Sequence, residues 1–451
     1  MVRRSFDVFD TLIARRHYDT DTVLKDILST KLLEARKAAD TGNRSLHEIY
    51  QAIKDNGQLP EYVTVDDCVA MEVEAEERQV IGIKETMGLV QDGDILVSDM
   101  YLSGADILRL CRAAGLDKQV TIYQSNGDKR TGEFWQKMKG QLQVEAHFGD
   151  NHLADIQNAI AHGFNGVLYD KVSKVSSVEN MLRANGLPSL SKLVREVRLS
   201  NHEPEHQYVF EMAHQLNLPW LFIACEMIYR ARGLTRPLVF LGRDCQLMEQ
   251  IYHTYYSTNT YYLPFSRQAA QDRDAALVYL KTQAPKDAIY IDISSTGATW
   301  ERLNSGLEVF VLIYSDLYHY TPTKPDALAH ISWATRNSTL GQTNEVLEVF
   351  NCADHGKLEK IELVNGVPLA TFGKHEIYPH IVKVIHKPVN DATKLRGFYE
   401  KIVTELNKLP SDKLSDMLRQ FSMSICANTA VLNKVDGYLE KDREYTLAVA
   451  K

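Results

Sequence analysis

The sequence predicts an α/β protein made of two parallel-sheet domains followed by helices, and three observations carry that expectation. Short apolar strands alternate with helical segments over residues 94–169 and again from 237 to 315, as in consecutive βαβ units. A chain of 451 residues exceeds what one hydrophobic core commonly supports. Residues 187–204 contain two prolines among many polar residues and read as a linker. The expected units are residues 1–195, with a helical insertion at about 17–90, then 205–375, then a helical region at 376–451.

The first strand is expected over residues 5–9. The next seventy or so residues, about 21–88, are rich in Ala, Glu, Lys and Leu and read as helices inserted above a sheet. Strands are then expected at 94–98, 120–124, 145–148 and 166–169, with helices at 104–114, 132–139 and 154–162 between them. In the second half a helix at 208–232 leads to a strand at 237–241, a Gly-Arg-Asp turn and a helix at 246–255. Strands follow at 260–264, 288–293 and 307–315; beyond Asp316 the pattern weakens into a polar region, and the last sixty residues are mainly helical.

A net charge of −8 argues against broad attraction to nucleic acid or anionic membranes and favours small-molecule chemistry. Six widely spaced cysteines form no CxxC pair, as expected of reduced, buried thiols rather than a zinc site. Met1-Val2-Arg3-Arg4 runs straight into a strand, so no signal peptide is expected, and the apolar run at 218–225 is too short to span a bilayer. A cytoplasmic location is the expectation.

Ser5-Phe6-Asp7-Val8-Phe9-Asp10-Thr11-Leu12 offers a carboxylate, Asp7, at the end of a strand, where parallel sheets bind ligands and where it can act as a nucleophile. A carboxylate meets a phosphoryl group only if cations neutralise the two. Asp150 and Asp155 are placed to hold Mg2+ together with Asp7, Ser98 to hydrogen-bond the phosphoryl group, and Lys129 to neutralise its charge. An isolated Gly-Asp is often only a turn, but four such segments in this order and context are hard to obtain by chance.

These four segments resemble the haloacid dehalogenase-like (HAD) superfamily. Asp7 and Thr11 match its first motif, Ser98 its second, Lys129 its third, and Gly149, Asp150 and Asp155 its acidic loop. The resemblance covers roughly the first 190 residues and implies a Rossmann-like core with a helical cap, magnesium dependence and phosphatase activity on a small phosphorylated metabolite. The family's phosphatases place a general acid/base two residues after the nucleophile, where this chain has Phe9. Asp10 stands one position later, and on an extended strand it would face the other way, so it can serve only if the backbone turns sharply.

In the second half, an apolar strand ends at Asp292 and runs into Ser294-Ser295-Thr296-Gly297-Ala298-Thr299, with a helix beginning near Trp300. Small residues and hydroxyls before a helix make a phosphate cradle on physical grounds. The segment resembles the phosphoribosyl pyrophosphate (PRPP) loop of type I phosphoribosyltransferases: Asp292 matches the second acidic position, Ser295, Thr296, Gly297 and Thr299 fall in the 5′-phosphate turn, and Ile291 replaces the first acid. Gly242-Arg243-Asp244 occupies the place of the pyrophosphate loop, and Arg267 is read evenly as a surface residue or a contact to the same anion.

The chain up to about residue 375 also resembles a group of bacterial HAD-like proteins with a long C-terminal extension, often found with sugar-transfer enzymes. The matching segments include residues 5–12, Ser98-Asp99-Met100-Tyr101-Leu102, residues 129–134, residues 240–244 and Ser266-Arg267. The resemblances imply a HAD phosphohydrolase joined to a domain binding PRPP, a related ribose phosphate or a nucleotide sugar, with transfer followed by dephosphorylation as one coherent pairing. A phosphatase with a non-catalytic C-terminal platform is one alternative, and a ligand sensor without turnover is another. His147, His152 and His162 lack ligand spacing and read as packing or surface residues, and the C-terminal helices read either as cover for the second domain or as a self-association surface.

Overall fold

The computed structural model describes residues 3–19, 21–315, 331–337, 344–375 and 377–434. It separates into one unit of residues 1–180 and 198–202, and a second of residues 181–197 and 203–451.

Both units are α/β with parallel sheets. The first sheet holds β1 (Ser5–Asp7), β4 (Ile95–Ser98), β5 (Thr121–Gln124), β6 (His147–Gly149) and β7 (Gly166–Leu168), in the order β5-β4-β1-β6-β7. Strand order reverses between β1 and β6, which opens a crevice at the carboxyl ends of those two strands. The short strands β2 (Ile13–Arg15) and β3 (Val80–Gly82) pair antiparallel and form the stem of the insertion. Its helices Asp21–Ile27, Thr30–Ala39, Leu46–Asp55 and Val65–Gln79 have clear sequence causes. Ser45 with Glu48, and Thr64 with Asp67, close reciprocal capping boxes that satisfy amides at two helix starts. Leu46, Ile49, Tyr50 and Ile53 recur at helical spacing and are buried in one core cluster with Phe6 of β1 and with Val8 just beyond it. Arg36 is fully buried and meets Glu72 through two hydrogen bonds of 2.9 and 3.1 Å.

The second sheet holds β8 (Leu238–Leu241), β9 (Thr260–Leu263), β10 (Ile289–Ser295), β11 (Val309–Ser315) and β12 (Ile331–Asn337), in the order β12-β11-β10-β8-β9. Its reversal lies between β8 and β10. The expected helix at 208–232 forms as two α-helices, Gln207–Met212 and Leu218–Arg232, joined by a π-helical turn, Ala213–Asn217. Helix Ser411–Cys426 packs against it, with Trp220 Nε1 donating to Ser422 Oγ at 2.8 Å. All six cysteines are buried thiols. Among the described residues, no helix is long and apolar enough to cross a membrane.

Three expectations about local structure need correction. The stretch read as a linker is largely the helix Pro188–Leu199, because Leu190, Leu193, Val194 and Val197 supply one apolar face and are all buried. Strand β10 does not stop at Ile293 but continues through Ser295, paired with Tyr314 on β11. The polar region after Asp316 holds β12 and an antiparallel hairpin of β13 (Leu358–Val364) and β14 (Val367–Phe372), closed by Asn365-Gly366, both with positive φ. Residues 316–330 and those beyond 434 lie outside the described residues.

Replacing Leu193 by Ala removes a fully buried side chain. It should lower unfolding free energy by about 2–5 kcal/mol in urea denaturation, whereas a linker position would tolerate the change within about 0.5 kcal/mol.

Candidate active site

The first site is built where β1, β4 and β6 end. β1 stops at Asp7, and the carbonyl of Val8 then accepts from both Leu12 N (2.8 Å) and Ile13 N (3.0 Å), forming one wide helical turn. Within it Asp10 has φ of 58°, the left-handed region that ordinary residues avoid. The sharp turn that an acid at position 10 requires is therefore present, centred on Asp10 itself. Phe9 turns toward the insertion, its ring 4.6 Å from the Arg15 guanidinium carbon.

After β6, Gly149 leads into Asp150 and the π-helical turn His152–Gln157, which carries Asp155. Asn151 starts that turn by accepting from the amides of Leu153 and Ala154, while its own N–H donates to Asp155 Oδ2 at 3.0 Å. Gly149 is required by close approach, since a Cβ there would lie 2.4 Å from Asp155 Cβ. Lys129 sits on the one-turn helix Asp128–Thr131. Asp99 organises the approach to it, its Oδ1 accepting from Ser125 Oγ and from the N–H groups of Gly127 and Lys129, each at 3.2 Å.

These elements converge on one ammonium. Lys129 Nζ donates to Asp7 Oδ1 at 2.5 Å and to Asp155 Oδ1 at 2.7 Å. Asp7, Asp150 and Asp155 each offer an oxygen within 4.8 Å of the others. One cation thus bridges Asp7 and Asp155 with Asp150 beside them, and the imbalance of three acids against one base shows in their acidities. Burial pushes the Asp7 carboxyl up despite Lys129, with Asp155 and Asp150 adding to the rise. Burial, then Asp10, then Asp155 push Asp150 up to about 7. Burial would also raise Asp155, but hydrogen bonds from His147 and Lys129 hold it below the ordinary carboxylate range. The donor set is all carboxylate oxygen with unbalanced negative charge, which fits a hard divalent cation such as Mg2+.

Asp7, Ser98, Lys129, Asp150 and Asp155 are thus collected at the ends of the sheet strands, with Ser98 buried and its Oγ accepting from Met100 N at 3.3 Å. His147, read from sequence as packing or surface, is fully buried and has a definite role. Burial lowers its pKa, so the ring is neutral; Nε2 lies 3.3 Å from Asp155 Oδ1 and Nδ1 lies 2.9 Å from Ser5 Oγ. A carboxylate only accepts, so Nε2 carries the proton and Nδ1 accepts from Ser5. The period-two alternation of a strand, with His147 beside Ser5 across β1 and β6, is the signal that could have found it.

In the second unit, Arg243 and Asp244 follow β8, and Asp292 lies on β10 across the strand-order reversal. Asp292 accepts from Trp300 Nε1 at 3.0 Å. Burial raises Asp292 to about 6, Trp300 and Arg267 oppose the rise and Glu348 adds to it. Burial, Glu348 and Asp292 push Asp244 well up, with Arg243 opposing. Arg243, Asp244, Arg267 and Asp292 therefore share one electrostatic neighbourhood. Glu348, on helix Asn344–Phe350, is a member of it with no local sequence signal.

The expected phosphate turn has a different form. Ser295 belongs to β10, Thr296 and Gly297 alone make the turn, and Thr299 lies in the short helix Ala298–Leu303. Gly297 N donates to Ser295 Oγ at 3.1 Å and Ala298 N to Thr296 Oγ1 at 3.4 Å, so the hydroxyls engage amides that a phosphate would use.

The raised pKa values predict a pH signature. A carboxyl whose folded-state pKa exceeds its unfolded value stabilises the fold below the unfolded pKa and loses that contribution as pH rises through the folded one. For Asp150 this loss begins in the ordinary carboxylate range near 3.8 and is complete at about 7, and Asp7 acts in the same direction. Asp155 is shifted the other way, so its contribution changes only in acid. In chelator, the thermal midpoint should fall from about pH 5 to about pH 8, and added Mg2+ should raise it most at the upper end, since ligands must be deprotonated to bind. Calorimetry across that range checks both; a midpoint rising in chelator, or a magnesium effect larger at low pH, contradicts the charge balance described. No protein-family model matches the chain, and no curated protein sequence matches it.

Proposed function

We propose that the first unit is a magnesium-dependent phosphohydrolase of the HAD type, acting on a small phosphorylated metabolite. The observation that carries this reading is the bridging of Asp7 and Asp155 by Lys129 beside Asp150, at the strand-order reversal. Asp7, Asp150 and Asp155 would hold Mg2+, which when bound offsets charge on the phosphoryl oxygens. An oxygen of the Asp7 carboxylate attacks phosphorus as the bond to the leaving oxygen breaks, and that oxygen takes the Asp10 proton. Water then attacks the phosphoryl-Asp7, gives a proton to Asp10, and releases phosphate with Asp7 restored. Lys129 neutralises the developing charge, and Ser98 hydrogen-bonds the phosphoryl group.

For the second unit the favoured reading is a ligand-binding platform that sets specificity. The observation behind it is the capping of Gly297 N and Ala298 N by Ser295 and Thr296, which leaves the turn poorer in free donors than a phosphate cradle needs. PRPP, a ribose phosphate or a nucleotide sugar remains the ligand class proposed for it, with Arg243 and Arg267 as anionic contacts and Asp244 and Asp292 as hydroxyl contacts.

With Mg2+ and a panel of phosphate monoesters, Asp7→Asn should abolish phosphate release. Asp10→Asn should lower kcat by about 10²–10⁴-fold with little change in KM. Asp292→Asn should leave kcat on a generic aryl phosphate intact and weaken PRPP or nucleotide-sugar binding in calorimetry. Phosphate release that survives Asp7→Asn overturns the reading.

A further inference from the structure

Asp10 occupies the left-handed backbone region that non-glycine residues rarely adopt, and such a residue persists only where its surroundings over-determine it. Several contacts do so. Asp10 N donates to Ile13 O at 2.6 Å, and Phe9 is bridged to Ile13. On the far side of Phe9 lies Arg15, on β2, its guanidinium carbon 4.6 Å from the ring centre. Arg15 is itself fixed by Glu76, on helix Val65–Gln79 of the insertion, through Nε–Oε2 and Nη2–Oε1 bonds of 2.7 and 2.8 Å. Both partners are buried. A planar guanidinium clamped in two bonds on one side is free to present its face to an aromatic ring.

We propose that Arg15, anchored by Glu76, is a positioning residue that clamps Phe9 and so holds the Asp10 carboxylate beside Asp150. The field at two groups agrees with this placement: Asp10 contributes to the upward shifts of both Arg15 and Asp150. Phe9 then has a function where the HAD pattern has an acid. It is the handle by which the insertion sets the position of the acid that follows it. The kinetic consequence rests on the phosphohydrolase reading, while the conformational consequence does not.

Removing Arg15 alone would strand Glu76 as a buried charge, so two other variants carry the test. Phe9→Leu keeps an apolar side chain and loses the ring; Arg15→Met combined with Glu76→Met replaces the ion pair by apolar volume. Crystal structures of the two full-length variants should show Asp10 leaving the left-handed region and moving from Asp150, and Phe9→Tyr should restore it. Turnover of an aryl phosphate should fall by about 10²-fold in kcat with KM unchanged, as expected for a misplaced proton-transfer group. Phosphoryl-Asp7 should accumulate in rapid-quench experiments, because its hydrolysis needs Asp10 as base. An Asp10 conformation unchanged in both variants overturns the clamp whatever the activity. Absence of Asp7-dependent turnover in the wild type would instead overturn the phosphohydrolase reading and leave the crystallographic result to decide the clamp.

Discussion

The burial of three carboxylates around one ammonium governs the first unit. Taking carboxylates out of water is expensive, and a single Lys129 cannot balance Asp7, Asp150 and Asp155. Much of the local structure serves to hold this arrangement. Asp99 fixes the turn from which Lys129 reaches inward, His147, held by Ser5, shares Asp155 Oδ1 with Lys129 while Asn151 N takes Oδ2, and Gly149 leaves room for that side chain to fold back over the strand end. What remains uncompensated is negative charge on Asp7 and Asp150, and it is expressed as raised pKa values. Such a cluster is at once a destabilising element and a receptor for a cation.

The two sheets reach the same solution by different strand orders. In the first the reversal separates β1 from β6, and Asp7 and Asp150 come from those two strand ends. In the second it separates β8 from β10, the source of Asp244 and Asp292. At a reversal the following connections leave to opposite sides, so the backbone opens a crevice that side chains at the strand ends line without any loop being built for the purpose. The insertion enters the first unit just beyond this point, through β2 and β3, so the turn after Asp7 and the root of the insertion are one continuous piece of backbone.

Much of this was legible in the sequence because strand ends are local features. Apolar runs leading to Asp7, Ser98 and Asp292 marked both the strands and the polar residues they carry, within one or two positions at most strand boundaries. Long-range features were not legible in the same way. Glu348 joins Asp244 and Asp292 from a helix about a hundred residues away from the first of them, and its neighbours Val346, Leu347, Val349 and Phe350 advertise only a core. The 188–199 helix was obscured by its polar residues and by Pro188, although that proline stands at its first position, where proline is tolerated. Asp10 is a subtler case. Its side-chain direction follows from one backbone angle, φ of 58°, which an extended-strand reading excludes and which tertiary contacts impose.

The two acidic crevices differ in a way that bears on what each can hold. In the first, hydrogen bonds keep Asp155 ionised under all ordinary conditions, and its bridging lysine stays charged because Asp7 and Asp155 outweigh its burial. Asp7 and Asp150 beside them are pushed up instead, so the lysine compensates Asp155 more fully than its two neighbours. In the second, Asp244 is pushed well up by burial and by its acidic neighbours Glu348 and Asp292, with Arg243 opposing the rise. Arg267 likewise opposes the rise at Asp292. Similar residue types at similar strand ends therefore meet different surroundings: a lysine hydrogen-bonded to two carboxylates in the first unit, and acids that raise one another's pKa beside two arginines in the second.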